Sequence, residues 1–198
     1  MRSLILIRHS LVSFDSALPW YEWPLSEEGR HRVLGLTPAL RQLAPTSIVS
    51  STERKAIETA NLLAADLDLR VEQDSRLCEN DRTDLPKLSA EEFQCVLREF
   101  LSHPSDIVMG HESANNALNR FRDAIEAAVN TCIQGNVAVV THGTVISLFV
   151  AAHNDLDALA FWRQLQLPGL VVLSIPDYKL QCPPVVSGQN PETTESGT

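Results

Sequence analysis

The chain has 198 residues, a length that suits one domain with a substantial hydrophobic core. Its formal net charge of −9 argues against general binding to nucleic acid or to anionic membranes, which requires basic patches, although a local cationic pocket could still bind a small anion. Four scattered cysteines without C-x-x-C spacing predict reduced thiols. No apolar stretch suits a membrane span or a signal peptide, so we expect a cytoplasmic enzyme or binding protein.

The first predicted element is a short strand that is apolar at every position, Leu4 to Ile7. Such a run without alternation indicates a strand buried on both faces. Arg8 and His9 follow it directly. Because open α/β sheets place their chemistry at the carboxyl ends of strands, we expect a guanidinium and an imidazole at the rim of a sheet.

A loop rich in aromatic residues, 11–24, precedes a helix predicted from the N-cap Ser26 to about Leu43, with a possible kink at Pro38. A second strand is predicted over 46–51, and a helix follows through Ala64. Its first turn carries Arg54 and Lys55. Cations are unfavourable at this end of the helix dipole, so both are candidates for a functional role and also for ordinary surface charge.

The remainder alternates in the same way. We predict a weak strand over 69–72, helices over 89–101 and 113–132, a strand over 136–141 that ends in His142, helices over 144–152 and 155–162, and a last strand over 169–175. Alternating strands and helices predict a three-layer α/β/α sandwich with a mostly parallel central sheet. We expect a single domain over 1–180 and a disordered tail over 181–198, which is rich in Pro, Ser, Gly and Thr.

Several short motifs, in order, resemble the histidine phosphatase superfamily, the phosphoglycerate mutase-like proteins. They cover roughly residues 4 to 150 and are Arg8-His9, Pro24-Leu25-Ser26-Glu27-Glu28-Gly29, Ser50-Ser51 with Thr59-Ala60, Leu77-Cys78-Glu79, Gly110-His111-Glu112-Ser113 and Val139-Val140-Thr141-His142-Gly143. Because Gly143 follows His142, where the acid phosphatase and phytase branch has Asp, the chain is similar to the branch whose acid lies in the middle of the chain.

The resemblance implies a metal-independent phosphatase that needs no cofactor and acts on a small phosphomonoester. His9 would attack phosphorus and carry a phosphohistidine, and Glu79 would be the general acid and base. Phosphoryl transfer depends on positioning and on neutralising oxygen charge. The residues expected to bind the substrate are Arg8, Lys55, His142 and Arg82.

Three positions depart from the family pattern. Val12 stands where many relatives have Thr or Ser, and the other two departures are closer to the expected phosphate contacts. Ser10 stands where most relatives have Gly, and the ungapped frame places Lys55 where the family has its second arginine, with Arg54 one residue early. Lysine is a point charge and cannot replace the guanidinium fork. Ser10 and Lys55 leave open a catalytically impaired member that binds phosphorylated ligands or protein partners. A phosphoglycerate mutase is a less favoured alternative, because the true mutases are longer chains with an insertion after the acid, and here the segment from Glu79 to the next helix is short. The substrate and the oligomeric state cannot be read from the sequence.

Overall fold

A six-stranded sheet forms the centre of the protein in a computed structural model that describes residues 2–181 and 185–186. Its strands are β1 (Ser3–Arg8), β2 (Pro45–Ser50), β3 (Val71–Gln73), β4 (Asn136–Thr141), β5 (Gly169–Ser174) and β6 (Val185–Val186). Their spatial order is β3-β2-β4-β1-β5-β6. The first four strands in that order are parallel to one another. Strand β5 pairs antiparallel with β1, and β6 pairs antiparallel with β5. The prediction of a mostly parallel sheet is confirmed.

Helices cover both faces of this sheet. Those in the described part of the chain are α1 (Glu27–Leu34), α2 (Thr37–Leu43), α3 (Arg54–Leu67), α4 (Ala90–Ser102), α5 (Ala114–Thr131), α6 (Gly143–Asn154) and α7 (Ala158–Gln164). Apolar side chains of α1, α2 and α3 form one core with one face of the sheet, and those of α4 to α7 form a second core with the other face. This arrangement confirms the three-layer sandwich.

The unalternating apolar run of β1 follows from its central position. Leu4 and Leu6 belong to the core beneath α4 to α7, whereas Ile5 and Ile7 belong to the core beneath α1 to α3. All four side chains are fully buried. Because successive side chains of a strand point to opposite faces, a strand between two helical layers needs an apolar residue at every position.

The single helix predicted from Ser26 to about Leu43 is wrong. Ser26 does cap a helix, since its Oγ accepts a 2.9 Å hydrogen bond from the Gly29 amide, but α1 ends at Leu34 and α2 begins at Thr37. Pro38 lies in the first turn of α2, where a helix tolerates the missing N–H. The proline therefore starts a second helix and does not kink the first.

The start predicted for the last helix, residue 155, is also wrong, since the residue that caps the helix lies two positions later. Asp155 adopts a left-handed conformation with φ of 52° and ends α6. Asp157 caps α7 instead, and its carboxylate accepts a 2.6 Å hydrogen bond from the Ala160 amide. Both positions suit aspartate, because its short polar side chain tolerates left-handed backbone and also caps helices.

Three further sequence predictions concern the C-terminal tail, the cysteines and membrane-spanning segments. Most of the predicted disordered tail lies outside the described residues, which include only Gln181 and strand β6 of that span, so the division at residue 180 stays a prediction. Cys78, Cys95 and Cys132 are free thiols. Among the helices of the described residues, none has the length and apolar character needed to cross a membrane.

Candidate active site

The two candidate histidines meet because their strands are neighbours. Strands β1 and β4 pair in parallel with Arg8 opposite Thr141, and the His9 amide donates a 2.9 Å hydrogen bond to the Thr141 carbonyl. His9 and His142 thus follow adjacent strand ends, and their ring centroids lie 5.1 Å apart. This brings together two residues that are distant in the sequence.

Strand β2 pairs with the other side of β4 and supplies the next part of the site. The Ser51 amide donates a 2.9 Å hydrogen bond to the Val140 carbonyl, which holds the end of β2 beside the end of β4. The chain then turns into α3, which begins at Arg54. Residues from β1, β2 and β4 are therefore collected at one edge of the sheet, as expected for the carboxyl ends of parallel strands.

The ring of His9 is held through Nδ1, which leaves Nε2 without a hydrogen bond among the described residues. Its Nδ1 lies 2.7 Å from the Ser10 carbonyl oxygen. Because a carbonyl can only accept, Nδ1 carries the proton in the neutral ring and Nε2 keeps its lone pair. Burial, followed by the positive charge of Lys55, holds the pKa of His9 well below its usual range, and the hydrogen bond to Ser10 opposes the shift. The imidazole is therefore neutral near pH 7.

Arg8 lies against the start of α6. Its Nη1 donates a 2.7 Å hydrogen bond to the Leu165 carbonyl, and its guanidinium carbon lies 5.2 Å from the centre of the Trp162 ring. A Cβ at Gly143 would come within 2.9 Å of the guanidinium carbon, so a larger residue there would force the Arg8 side chain to shift. Burial lowers the pKa of Arg8 to about 10, and the Glu79 carboxylate opposes that effect. The group remains a cation.

The two cations at the start of α3 point in different directions. Lys55 is 6% exposed, and its ammonium contacts the Glu53 carboxylate and donates a 3.0 Å hydrogen bond to the Trp20 carbonyl. The side chain of Arg54 is 47% exposed and pairs with Glu58 at 3.0 Å. The positive charge of Lys55 lowers the pKa of His9, so of these two residues the lysine is the cation that faces the histidines.

The Glu79 carboxylate lies at the amino end of α6. It accepts hydrogen bonds from the amides of Asn80, Thr144 and Val145 at 3.1, 3.2 and 3.3 Å. Arg82 Nη2 donates a further bond to it at 3.0 Å. A carboxylate in this position is favoured by the free N–H groups and the dipole of the helix. The structure therefore brings Glu79 and Arg82 into the same cluster as the histidines.

His142 is fully buried and uses only one ring nitrogen within the protein. Its Nε2 lies 2.8 Å from Ser51 Oγ and 3.3 Å from a carboxylate oxygen of Glu53. Its buried Nδ1 has no hydrogen-bond partner among the described residues. Burial, together with His9 and the nearby cations, holds the pKa of His142 well below its usual range. Nδ1 is thus the nitrogen that remains for a ligand.

Several residues of this cluster were missed in the sequence. Glu53 is 4% exposed in the structure. Acidic residues are common just before a helix, where they are usually solvated, so the sequence does not indicate that this one is buried. Trp162 and the Leu165 carbonyl come from α7 and the segment after it, which no motif links to the site. Trp20, by contrast, belongs to the aromatic loop that the sequence indicates as a wall of the pocket, and its ring centre lies 4.9 Å from Lys55 Nζ.

A second set of missed residues holds the loop that carries Glu79. Arg120 of α5 donates hydrogen bonds to the carbonyls of Cys78 and Glu79 at 2.9 and 3.3 Å. Its guanidinium is paired with Glu112 at 2.6 Å. Glu112 also accepts a 3.0 Å bond from the Asp81 amide. Glu112, from the segment Gly110-His111-Glu112-Ser113, therefore supports the loop that carries Glu79. His111 of the same segment is exposed and bonded to Asp81.

A cavity of about 440 Å³ opens beside this cluster. Its lining includes Trp20, Tyr21, Glu53, Glu79, Asp81 and His111. Within the described residues, no group of three or more His, Cys, Asp or Glu side chains is arranged to hold a metal ion. The arrangement offers a neutral imidazole with a free lone pair among three cations, which suits attack on a phosphoryl group.

Comparison with known families identifies the fold and the family. The family model of the histidine phosphatase superfamily (branch 1) matches residues 4–186, so the chain belongs to that superfamily. No curated protein sequence matches the chain.

Solved structures show the same fold. A mycobacterial glucosyl-3-phosphoglycerate phosphatase in complex with inorganic phosphate is 26% identical over 88% of this chain and 90% of that chain, with a TM-score of 0.67. YhfR of Bacillus stearothermophilus is 23% identical over 96% and 98%, with a TM-score of 0.73. A mutant phosphoserine phosphatase from Entamoeba histolytica with phosphoserine is 17% identical over 94% and 95%, with a TM-score of 0.73.

The contacts of Arg120 predict a positioning role that can be measured. Arg120→Met removes the bonds to the Cys78 and Glu79 carbonyls, so the Glu79 loop should lose its fixed position. We expect phosphatase activity to fall by roughly ten- to a hundredfold, since small misplacements of catalytic groups have effects of that size. Arg122→Met is the matched control: Arg122 lies on the same helix, and within the described residues its side chain bonds only to Asn119, at 3.2 Å. Equal rates in the two variants would contradict this role.

Proposed function

We propose that this member of the histidine phosphatase superfamily is a metal-independent phosphatase that hydrolyses a small phosphomonoester through a phosphohistidine on His9. The observation that carries the proposal is the bond between His9 Nδ1 and the Ser10 carbonyl, which leaves Nε2 free as a nucleophile. The low pKa of His9 supports it further, because the ring is neutral at physiological pH.

The first step of the proposed reaction forms the covalent intermediate. The Nε2 lone pair attacks phosphorus, the bond between phosphorus and the leaving oxygen breaks, and that oxygen keeps the electron pair. Glu79, protonated when the phosphate dianion is bound, gives its proton to the leaving oxygen. The cations Arg8, Lys55 and Arg82, with His142, neutralise the charge on the phosphoryl oxygens.

The second step releases inorganic phosphate. A water molecule attacks phosphorus while the Glu79 carboxylate takes one of its protons. The bond between phosphorus and Nε2 breaks, and its electron pair returns to the imidazole. In this scheme the residues regain their starting state without a metal or another cofactor.

Phosphatase names among the structural neighbours support this reaction class. The mycobacterial neighbour is described as a glucosyl-3-phosphoglycerate phosphatase, and the amoebal neighbour as a phosphoserine phosphatase. The physiological substrate and the cytoplasmic location stay open, the second as a prediction from the sequence.

A second candidate is a member that binds phosphorylated ligands without hydrolysing them. The observation in its favour is that Lys55 is already paired with Glu53, which reduces the charge available to a transition state. Hydrolysis of p-nitrophenyl phosphate in the presence of EDTA separates the two candidates. Turnover supports the phosphatase, and absence of turnover together with thermal stabilisation by phosphate supports the binding protein.

We predict that His9→Ala abolishes turnover. Wild-type enzyme stopped in alkali during turnover should retain phosphate on His9, whereas enzyme stopped in acid should lose it, because phosphohistidine is labile to acid. Mass spectrometry of the alkaline sample identifies the residue. Phosphate on a serine, or full activity of the alanine variant, would rule out the covalent role of His9.

Glu79→Gln should affect substrates according to their leaving groups. An alkyl phosphate needs protonation of the leaving oxygen, while an aryl phosphate leaves with little help. We therefore expect a fall in kcat of about a hundredfold or more for an alkyl phosphate and a clearly smaller fall for p-nitrophenyl phosphate. Equal losses on both substrates would mean that Glu79 is not the acid.

Lys55 and Arg54 provide a matched pair of variants. Lys55→Met should lower kcat/KM by about a hundred- to a thousandfold, by analogy with the removal of one donor to a developing negative charge. Arg54→Met should change it by less than about fivefold, as for an exposed ion pair. A larger loss at Arg54 than at Lys55 would assign the phosphate contact to the arginine.

A further inference from the structure

Glu53 is a buried carboxylate to which the proposed reaction gives no part. It lies at the start of α3 and is 4% exposed. One of its oxygens contacts the Lys55 ammonium, and the other accepts a 2.7 Å hydrogen bond from the Glu79 amide. That second oxygen also lies 3.3 Å from Nε2 of His142. A single carboxylate thus contacts three parts of the phosphate site.

The neighbours of His142 determine which ring nitrogen carries a proton. Ser51 Oγ lies 3.3 Å from Cys78 Sγ, to which its hydroxyl can donate, and it accepts a 3.2 Å bond from the Glu53 amide. Ser51 Oγ is therefore an acceptor for His142, as is the Glu53 carboxylate. With two acceptors beside it, Nε2 carries the proton in the neutral ring and Nδ1 carries the lone pair.

A lone pair at Nδ1 does not suit a phosphate oxygen. The buried Nδ1 lacks a partner within residues 2–181, and a phosphoryl oxygen offers only acceptor sites. The contact becomes favourable once Nδ1 is protonated, and the ring is then an imidazolium. A buried imidazolium requires a counter-charge, and the carboxylate beside Nε2 is in the position to provide it.

The charges around the site also favour protonation of His142 when a phosphate dianion binds. The groups that face His142 are Arg8 and His9 from β1, Glu53 and Lys55 from the start of α3, and Glu79 and Arg82 from the loop after β3. With both histidines neutral, three cations face two carboxylates. A phosphate dianion brings more negative charge than this balance compensates, so its binding favours uptake of protons by the groups that face it, by His142 as well as by Glu79, the acid of the proposed reaction.

We propose that Glu53 is a positioning residue that acts through His142: it holds Nε2 of the ring, and it stabilises the imidazolium that forms when a tetrahedral dianion binds at Nδ1. The proposal rests on the proposed function only in taking this cluster as the phosphate site. In the free protein His142 is neutral, since burial and the nearby cations lower its pKa. Binding of the dianion then charges the ring.

The test uses sulfate, which stays a dianion between pH 5 and 9, so any proton taken up belongs to the protein. The chain is labelled with 15N-histidine, and the His142 signals are assigned by comparison with His142→Asn. In wild type saturated with sulfate at pH 7, we expect both ring nitrogens of His142 to be protonated. In saturated Glu53→Gln, Nδ1 should be unprotonated, and the Kd for sulfate should rise by about tenfold, which corresponds to one pKa unit.

Two controls separate this role from general damage. Glu58→Gln also removes a paired glutamate from α3, but its partners Arg30 and Arg54 lie away from the histidines, so His142 should behave as in wild type. The comparison of Lys55→Met with Lys55→Met/Glu53→Gln repeats the test without the lysine. We expect His142 to be charged in the first and neutral in the second when sulfate is bound.

A neutral His142 in the sulfate-saturated wild type would overturn the proposal. So would an imidazolium of equal population in saturated Glu53→Gln, or an effect of Glu53 that disappears in the Lys55→Met background. Because sulfate binding requires no turnover, these results are independent of the phosphohistidine experiment, which tests the proposed function.

Discussion

The parallel pairing of β1 with β4 is the constraint on which the site depends. The register sets Arg8 opposite Thr141, and the next residue of each strand is a histidine. Strand β2 then adds Ser51 on the other side of β4. A shift of this register by one residue would turn each strand's side chains to the opposite face and separate the histidines. The two cores therefore fix the chemistry as well as the fold.

Burial of charge is the second constraint. Isolated charges are costly inside a protein, and in this site each buried or half-buried cation has an acceptor within the protein before any substrate is present. Arg8 donates to the Leu165 carbonyl, Lys55 contacts Glu53, and Arg82 donates to Glu79. The donors are thus fixed in place before the reaction, which is the condition for electrostatic stabilisation without reorganisation.

The predictable part of the fold is the part determined by local pattern. The central residues of β1 and β4 are all apolar because each strand lies between two helical layers, and such runs are evident in the sequence. The break between α1 and α2 was missed because the apolar periodicity continues across Gly35. A proline two residues into a new helix looks the same in sequence as one that kinks an old helix.

The residues of the site also fall into those that local sequence pattern can identify and those that it cannot. Residues directly after buried strands, such as His9 and His142, can be named from the sequence, because strand ends meet at one edge of a sheet. Glu53 could not be named. Its position before a helix is common for a solvated acid, and only the packing of α3 against the strand ends reveals that it is buried. Tertiary contacts decide its role.

Two of the departures from the family pattern are accommodated in different ways. Ser10 contributes its backbone carbonyl to His9, and any residue supplies that group equally well. Lys55 requires more, since an ammonium on a flexible stem has none of the fixed geometry of a guanidinium. The Glu53 carboxylate and the Trp20 carbonyl occupy two of its three donors. The third donor has no partner among the described residues, and under the proposed function it is available to a phosphoryl oxygen, so the buried glutamate is what gives a lysine a defined direction at this position.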